Sequence, residues 1–337
     1  MQDDNGKIGV ILLSLGTPDS PDFKGVRRFL SEFLSDKNII DMNRALWLPL
    51  LHGVILNARP FKSSKAYAKV WDYERGESPL RTISREQGYR LGEEFADDEN
   101  VIVDWAFRYG TPSIQETMMP MIEAGCDRIF LMALYPQYSN TTVGTAYEKA
   151  VKVASYLKSP PEIRTGSSYY NHPKYIAAMK DSIEDQLKCI PWEPDVILAS
   201  YHSIPLRYVE QGDPYRDHCE ETHRLLKEAL THRGDQLQMS YQSRVGYQQW
   251  LPPYSKDKVK ELAENGVRDL VVVAPAFAQD CLETLEEIKM ELCEEFLRAG
   301  GHNFQYVPCL NVRDDHIGLI KEIVEENIQD WRDEFKL

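Results

Sequence analysis

Short, β-rich apolar runs alternate along this chain with segments whose apolar positions recur every three or four residues. IGVILLSLG (8–16), VIVDWAFRYG (101–110) and RIFLMALYPQYS (128–139) read as strands of a first half. DVILASYHS (195–203), QMSYQSRVG (238–246) and DLVVVAPAFAQD (269–280) read as strands of a second. Helical periodicity covers 85–96, 112–124, 173–188, 216–230, 255–265 and 282–299. Strand and helix in regular alternation predict an α/β fold on parallel sheets.

The second half looks like a degenerate copy of the first. WAFRYG and YQSRVG each place an arginine, Arg108 or Arg244, two residues before a glycine. Each is followed by a helix that closes on Gly and leads into another apolar run. Two similar α/β domains are therefore expected, over 1–160 and 161–337, with the Pro-, Gly- and Ser-rich stretch KSPPEIRTGSS (158–168) as the junction. The final helix has the option of packing back on the first domain. Ligands of open parallel sheets bind beyond the carboxyl ends of the strands. Two halves facing across a cleft would bring six such ends together. The set is aromatic, polar and lightly cationic, which suits a large planar ligand better than a triphosphate. Neither GxxxxGK[ST] nor GxGxxG occurs, so a nucleotide site has no fingerprint.

Composition narrows this further. A net charge of -14 argues against a binder of nucleic-acid backbone, which needs clustered Lys and Arg. The six cysteines are scattered with no CxxC pair, and read as reduced thiols. The N-terminus lacks a basic region ahead of a long apolar core, and no apolar stretch has the length of a membrane span, so a cytoplasmic protein is expected. Residues 43–67 are unusually apolar for a connection. Trp47, Leu48, Leu50, Leu51, Val54, Ile55 and Leu56 form either a buried helix or an exposed lip that meets an apolar ligand or the inner face of a membrane.

Two segments carry candidate chemistry. His202 ends an apolar strand, and Pro205 and a Gly-Asp-Pro turn come directly after it. An imidazole there is a metal ligand, a general base or both in turn. An isolated loop histidine is more often structural, and it is the strand-end position that favours function. In AFAQDCLETLEEIKMELCEEF, Glu283, Glu287 and Glu291 recur every four residues on one helical face, opposite Leu285, Ile288, Leu292 and Phe296. Like charges so spaced are often just a solvated face. Glu283 differs, because it lies in the first turn beside a strand end. A file of carboxylates leading there would guide a hard divalent cation.

Taken together, LLSLGTPDSP with VRRFLSEFLSD, YPQYS, ILASYHSIPLRYVEQGDPY, YQSRVG with WL, and AFAQDCLETLEEI resemble the motifs of the ferrochelatases, in the family's order and over nearly the whole chain. The resemblance implies two Rossmann-like, chelatase-type domains, each with a four-stranded parallel β-sheet flanked by helices. It implies a lyase of haem biosynthesis that inserts Fe2+ into protoporphyrin IX and releases two protons to form protohaem. His202 would be the pyrrole proton acceptor or metal ligand and Glu283 its acidic partner, with Glu287 and Glu291 extending the metal or proton path. Arg108, Tyr109, Tyr67, Ser78, Tyr135, Phe277, Asp280 and Trp250 fall at porphyrin-lining positions, and Leu15 beneath the macrocycle. Leu15 cannot coordinate metal where some relatives carry Tyr or Met, and Cys281 stands where some carry His. Fe2+ is then a substrate with no retained cofactor, and Asn140 together with a cysteine-free C-terminal segment argues against an iron–sulfur cluster. Other readings are a chelatase for coproporphyrin III or sirohydrochlorin, and a non-catalytic porphyrin or haem carrier. The sequence sets no oligomeric state.

Overall fold

The repeat seen in the sequence is a repeat of topology. In a computed structural model describing residues 6–244, 246 and 248–334, the strands form two four-stranded parallel sheets. In the first, β1 (Lys7–Gly16), β2 (Val101–Tyr109), β3 (Cys126–Ala133) and β4 (Glu162–Thr165) lie in the order β2-β1-β3-β4. In the second, β5 (Val196–His202), β6 (Leu237–Gln242), β7 (Asp269–Val273) and β8 (Asn303–Tyr306) take the equivalent order β6-β5-β7-β8. The first strand of each set is central and covered on both faces. Ile8, Val10, Ile11 and Leu13 of β1 and Ile197, Leu198, Ala199 and Tyr201 of β5 have no solvent exposure, as crossover helices on both sides of a parallel sheet require.

Two of the apolar runs are shorter as strands than as sequence. The run from 128 ends its strand at Ala133, and that from 269 ends at Val273. The remainder of each run is irregular backbone at the strand's carboxyl end. Two strands left no mark in the apolar pattern. EIRT and NFQY are four-residue edge strands whose side chains, Tyr306 apart, are half-buried or exposed, too short for periodicity to register. EIRT lies inside the stretch expected to be the junction.

The chain divides into two units. The first holds the segment up to Leu134, Asn140–Ser167 and everything from Val312. The second holds Tyr135–Ser139 and Ser168–Asn311. This differs from a single boundary at 160/161, because β4 pairs with β3 and the last helix, Asp314–Glu334, belongs to the first unit. That helix buries Ile320, Val324, Ile328 and Trp331. Arg128 Nη1 donates to the Trp331 carbonyl at 3.2 Å, and Arg332 Nε to Asp98 at 2.8 Å.

Gly16, at the end of β1, is held at φ 111°. A Cβ there would stand 1.9 Å from the Tyr109 carbonyl oxygen. Glycine is the residue that tolerates both the dihedral and the approach.

Two segments depart from α-helical expectation. The acidic segment from 282 is a π-helix over Glu283–Leu292, continuing as an α-helix over Cys293–Arg298. The apolar stretch 43–67 is a helix over Arg44–Leu50, a π-turn over Leu51–Ile55 and a helix over Leu56–Val70. It is neither wholly buried nor wholly a lip. Trp47, Leu51 and Leu56 face the core, while Leu46, Leu50, Val54 and Phe61 are 71%, 43%, 58% and 60% exposed.

Candidate active site

His202 is the last residue of β5 and pairs in register with Gln242, the last of β6. Its Nδ1 lies 2.6 Å from the Ser203 carbonyl oxygen. A carbonyl only accepts, so Nδ1 carries the hydrogen and the free lone pair of the neutral ring is on Nε2. Burial pushes the imidazole below its ordinary value, and the negative charge of Glu283 opposes this only in part. The ring of Phe277 meets it edge-on, 6.2 Å between centroids. The result is a neutral base next to a carboxylate, which is the state needed to accept a proton.

A chain of hydrogen bonds within the second unit fixes the π-helix against this strand end. Ser240 and Ser200 hydroxyls lie 2.9 and 2.8 Å from that of Ser255. Ser200 donates to Gln242 Oε1 at 2.8 Å, and Gln242 Nε2 donates to the Glu283 carbonyl at 2.7 Å. Asp280 secures the other side. One of its oxygens accepts from the Tyr306 hydroxyl at 2.6 Å and the Thr284 hydroxyl at 2.9 Å, the other from Asn311 Nδ2 at 2.7 Å. Its carboxylate is thus directed into the unit, around the start of the helix. Cys281 is buried beside Glu283, and burial holds its thiol well above the ordinary range, so it is an inert neighbour.

The three spaced glutamates have different surroundings. Glu287 is pushed up to about 7, by burial first and then by the Glu283 charge, although the Ser243 hydroxyl donates to its Oε2 at 2.5 Å. Glu291 accepts from Lys256 Nζ at 2.6 Å. Ile288, Leu292 and Phe296 form the buried stripe expected opposite them. Among the described residues, no three His, Cys, Asp or Glu side chains converge as a metal-holding group. The carboxylates make a file along the helix, not a cage.

The segment YPQYS and the stretch that follows His202 hold each other. In YPQYS, the Gln137 amide donates to the Thr222 hydroxyl at 3.0 Å, the Tyr138 N–H to His218 Nδ1 at 3.1 Å, and the Ser139 hydroxyl to Asp213 at 2.9 Å. Asp213 belongs to the Gly-Asp-Pro turn after His202, and its Oδ1 also accepts from the Tyr215 N–H at 3.0 Å. Tyr135 leads this clip, half-buried. Trp250, half-buried, bridges back to Pro205.

In the first unit, Arg108 and Tyr109 end β2 and converge on Asp36. The Arg108 guanidinium is ion-paired with Asp36 and its Nε donates to Thr145 Oγ1 at 2.9 Å. The Tyr109 hydroxyl donates to Asp36 at 2.8 Å, the Thr145 hydroxyl at 2.6 Å, and the Asn38 N–H caps its other oxygen at 2.8 Å. Burial alone would raise the Asp36 carboxyl; these donors and the Arg108 charge outweigh it and hold it below its ordinary value. Tyr109 has no exposed surface, and burial raises its phenol. Ser78, also buried, caps the helix Pro79–Glu94, and Tyr67 is buried on the helix Leu56–Val70. Leu15 is half-buried near the end of β1. Asp36, Thr145, Gln242, Ser243, Lys256 and Asn311 were not candidates in the sequence. Their only signal is a partner that the fold brings from far along the chain.

Known proteins match this arrangement at two levels. The family model Ferrochelatase matches residues 7–328. Ferrochelatases of Brucella ovis and Brucella abortus are each 45% identical over 325 residues, covering 96% of this chain and 92% of theirs. Among solved structures, SirB from Bacillus subtilis with Fe3+ aligns with TM-score 0.58 at 12% identity, covering 98% of both chains. The sirohydrochlorin chelatase SirB of Bacillus subtilis subspecies spizizenii in complex with cobalt gives TM-score 0.51 at 10% identity, over 96% of this chain and 94% of that one. At such identities these two speak for the fold alone. With nearly its whole length matched by the family model, this chain belongs to the ferrochelatase family.

Proposed function

We propose that this chain, a metal chelatase of the lyase class, inserts Fe2+ into protoporphyrin IX, with His202 as the base that removes the pyrrole protons. The His202 ring carries the reading. Its Nδ1 is committed to the Ser203 carbonyl, its Nε2 lone pair is free, and burial keeps it neutral beside Glu283. A free porphyrin holds two N–H protons, and both leave as one Fe2+ enters, so the macrocycle core stays neutral. Nε2 takes a proton, the imidazolium is stabilised by Glu283, and release along the helix frees the base for the second. Glu287, near neutral pKa, is matched to exchange protons in this range. Fe2+ is substrate here, with no retained cofactor and no iron–sulfur cluster. A file of carboxylates with no closed cage favours passing a metal on over keeping it.

The porphyrin contacts implied by the family resemblance remain part of the proposal: Leu15, Tyr67, Ser78 and Arg108 in the first unit, Tyr135, Trp250 and Phe277 in the second. Tyr109 and Asp280 are better assigned to positioning, because their polar atoms are engaged inside their own units. His202→Ala is expected to lower anaerobic iron insertion by about 10²-fold or more while porphyrin still binds, monitored by porphyrin absorbance. Unchanged turnover would overturn the assignment. Assaying coproporphyrin III beside protoporphyrin IX identifies the preferred macrocycle.

We further propose that the outward apolar residues of 44–70 rest on the cytoplasmic face of a membrane. No helix among the described residues is long and apolar enough to cross one. Leu46, Leu50 and Val54 lie exposed on successive turns, and Phe61 lies exposed about two turns further on. Leu51 is buried and is a poor probe, so the test uses Leu46→Glu with Leu50→Glu. The pair is expected to abolish co-sedimentation with phosphatidylethanolamine–phosphatidylglycerol vesicles, and sedimentation equal to wild type would refute the contact.

A further inference from the structure

Lys256 is the second residue of the helix Ser255–Glu264, and its ammonium lies 2.6 Å from Glu291 Oε2. A cation in the first turn has the unfavourable sign for the helix dipole, so the helix itself gives no reason for a lysine there. The groups acting on it are all carboxylates: Glu291 in contact, with Glu287 and Glu295 in electrostatic range. Glu287 in turn has Lys256 as its cationic neighbour. Four residues on, Lys260 makes a second rung, 3.2 Å from Glu295 Oε2. Both rungs tie this helix to the acidic one, but only the first ends on a glutamate of the file. Glu295 is shared with Arg298, at 3.2 Å, and lies beyond it.

We propose that Lys256 is a specificity-determining residue of the metal path, a tethered monovalent cation that occupies the outermost carboxylate and yields it to a divalent ion. At equal distance a divalent ion is attracted to a carboxylate twice as strongly as an ammonium. The lysine is 56% exposed on a flexible four-carbon stem, so it swings aside at little cost. A monovalent ion from bulk solvent gains nothing by displacing it. The inference rests on the reading that the file carries metal, and its test is separate from the chemical step.

Co2+ titrated calorimetrically into the full chain without porphyrin is the probe. Lys256→Met removes the charge and keeps the stem, and is expected to tighten Co2+ about 3- to 10-fold. Lys256→Arg restores the charge and is expected to stay within about twofold of wild type. Lys260→Met removes the other rung and is expected to match wild type. In a Glu291→Gln background, Lys256→Met gives no tightening. Unchanged affinity in Lys256→Met, equal tightening in Lys260→Met, or a Glu291→Gln variant that binds Co2+ as wild type does would each overturn the inference. Undiminished iron insertion by His202→Ala would instead overturn the functional reading and leave the Co2+ comparison standing.

Discussion

β2 is an edge strand of one sheet and β5 a central strand of the other, and the electrostatics at their carboxyl ends run in opposite directions. At β2, one carboxylate, Asp36, collects an arginine, a tyrosine, a threonine and a backbone N–H, and its proton affinity falls below the ordinary range. At β5, an imidazole is kept neutral and Glu287 is raised to about 7 with one hydroxyl donor in contact. The first network is a closed set of donors and acceptors that holds its charges fixed near neutral pH. The second leaves groups able to change protonation there. A repeated topology thus carries a fixed charge network at one strand end and groups that titrate nearer neutrality at the other.

The widest separation between the two ends should appear on removing Asp36. Asp36→Ala strands a largely buried guanidinium and two hydroxyls, and is expected to cost the first unit about 2–4 kcal/mol in urea unfolding at neutral pH. The pH sign comes from the lowered carboxyl. Its contribution is fully present above the unfolded value of 3.8 and is lost as pH falls through the lower folded value. The gap between wild type and variant should therefore close in acid. A gap that persists unchanged well below the unfolded value would show that Asp36 acts by packing and not by charge.

How this contrast stood in the sequence depends on where each partner lies along the chain. His202 was legible because an apolar strand ends on it, just ahead of a proline turn. The glutamates were legible because four-residue spacing survives in a π-helix, although the π geometry itself left no trace. Asp36 was not legible, since its partners at 108, 109 and 145 are united only by the folded sheet. For the same reason the sequence did not show that the polar atoms of Arg108 and Tyr109 are engaged inside their own unit. The repetition of the two halves was recoverable, but the order of strands within each sheet was not. Nor were the four-residue strands β4 and β8, because an edge strand needs few apolar residues. In 43–67, the sequence showed apolar density but not which side each residue takes, which two prolines and a π-turn decide.

A smaller effect of opposite sign is expected at Glu287. A carboxyl raised in the folded state contributes stability that is fully present below the unfolded value of 4.5 and lost as pH rises through about 7. In metal-free protein, Glu287→Gln should match wild type near pH 4.5 and exceed it at pH 8, on the order of 1–3 kcal/mol. The amide keeps an acceptor for Ser243, so the difference isolates the charge. Insertion should slow in the same variant, because the near-neutral proton exchanger is gone. A Glu287→Gln protein less stable than wild type at pH 8 would remove the contrast with Asp36.

The finest test is at Ser243, which sits at φ 68°, a left-handed backbone that a serine adopts only at a cost of about 1 kcal/mol. The conformation places its hydroxyl 2.5 Å from Glu287, the bond that restrains the raised carboxyl. Ser243→Ala keeps the strain and loses the bond, whereas Ser243→Gly loses both. Both should move the Glu287 titration upward by a similar amount, read by carboxyl NMR or by the pH profile of insertion. Only the glycine variant should recover stability, about 1 kcal/mol relative to alanine. If instead the two variants shift the titration differently, the backbone at 243 controls Glu287 by positioning more than by the hydroxyl, and the strain is then part of how the second strand end is kept ready for protons.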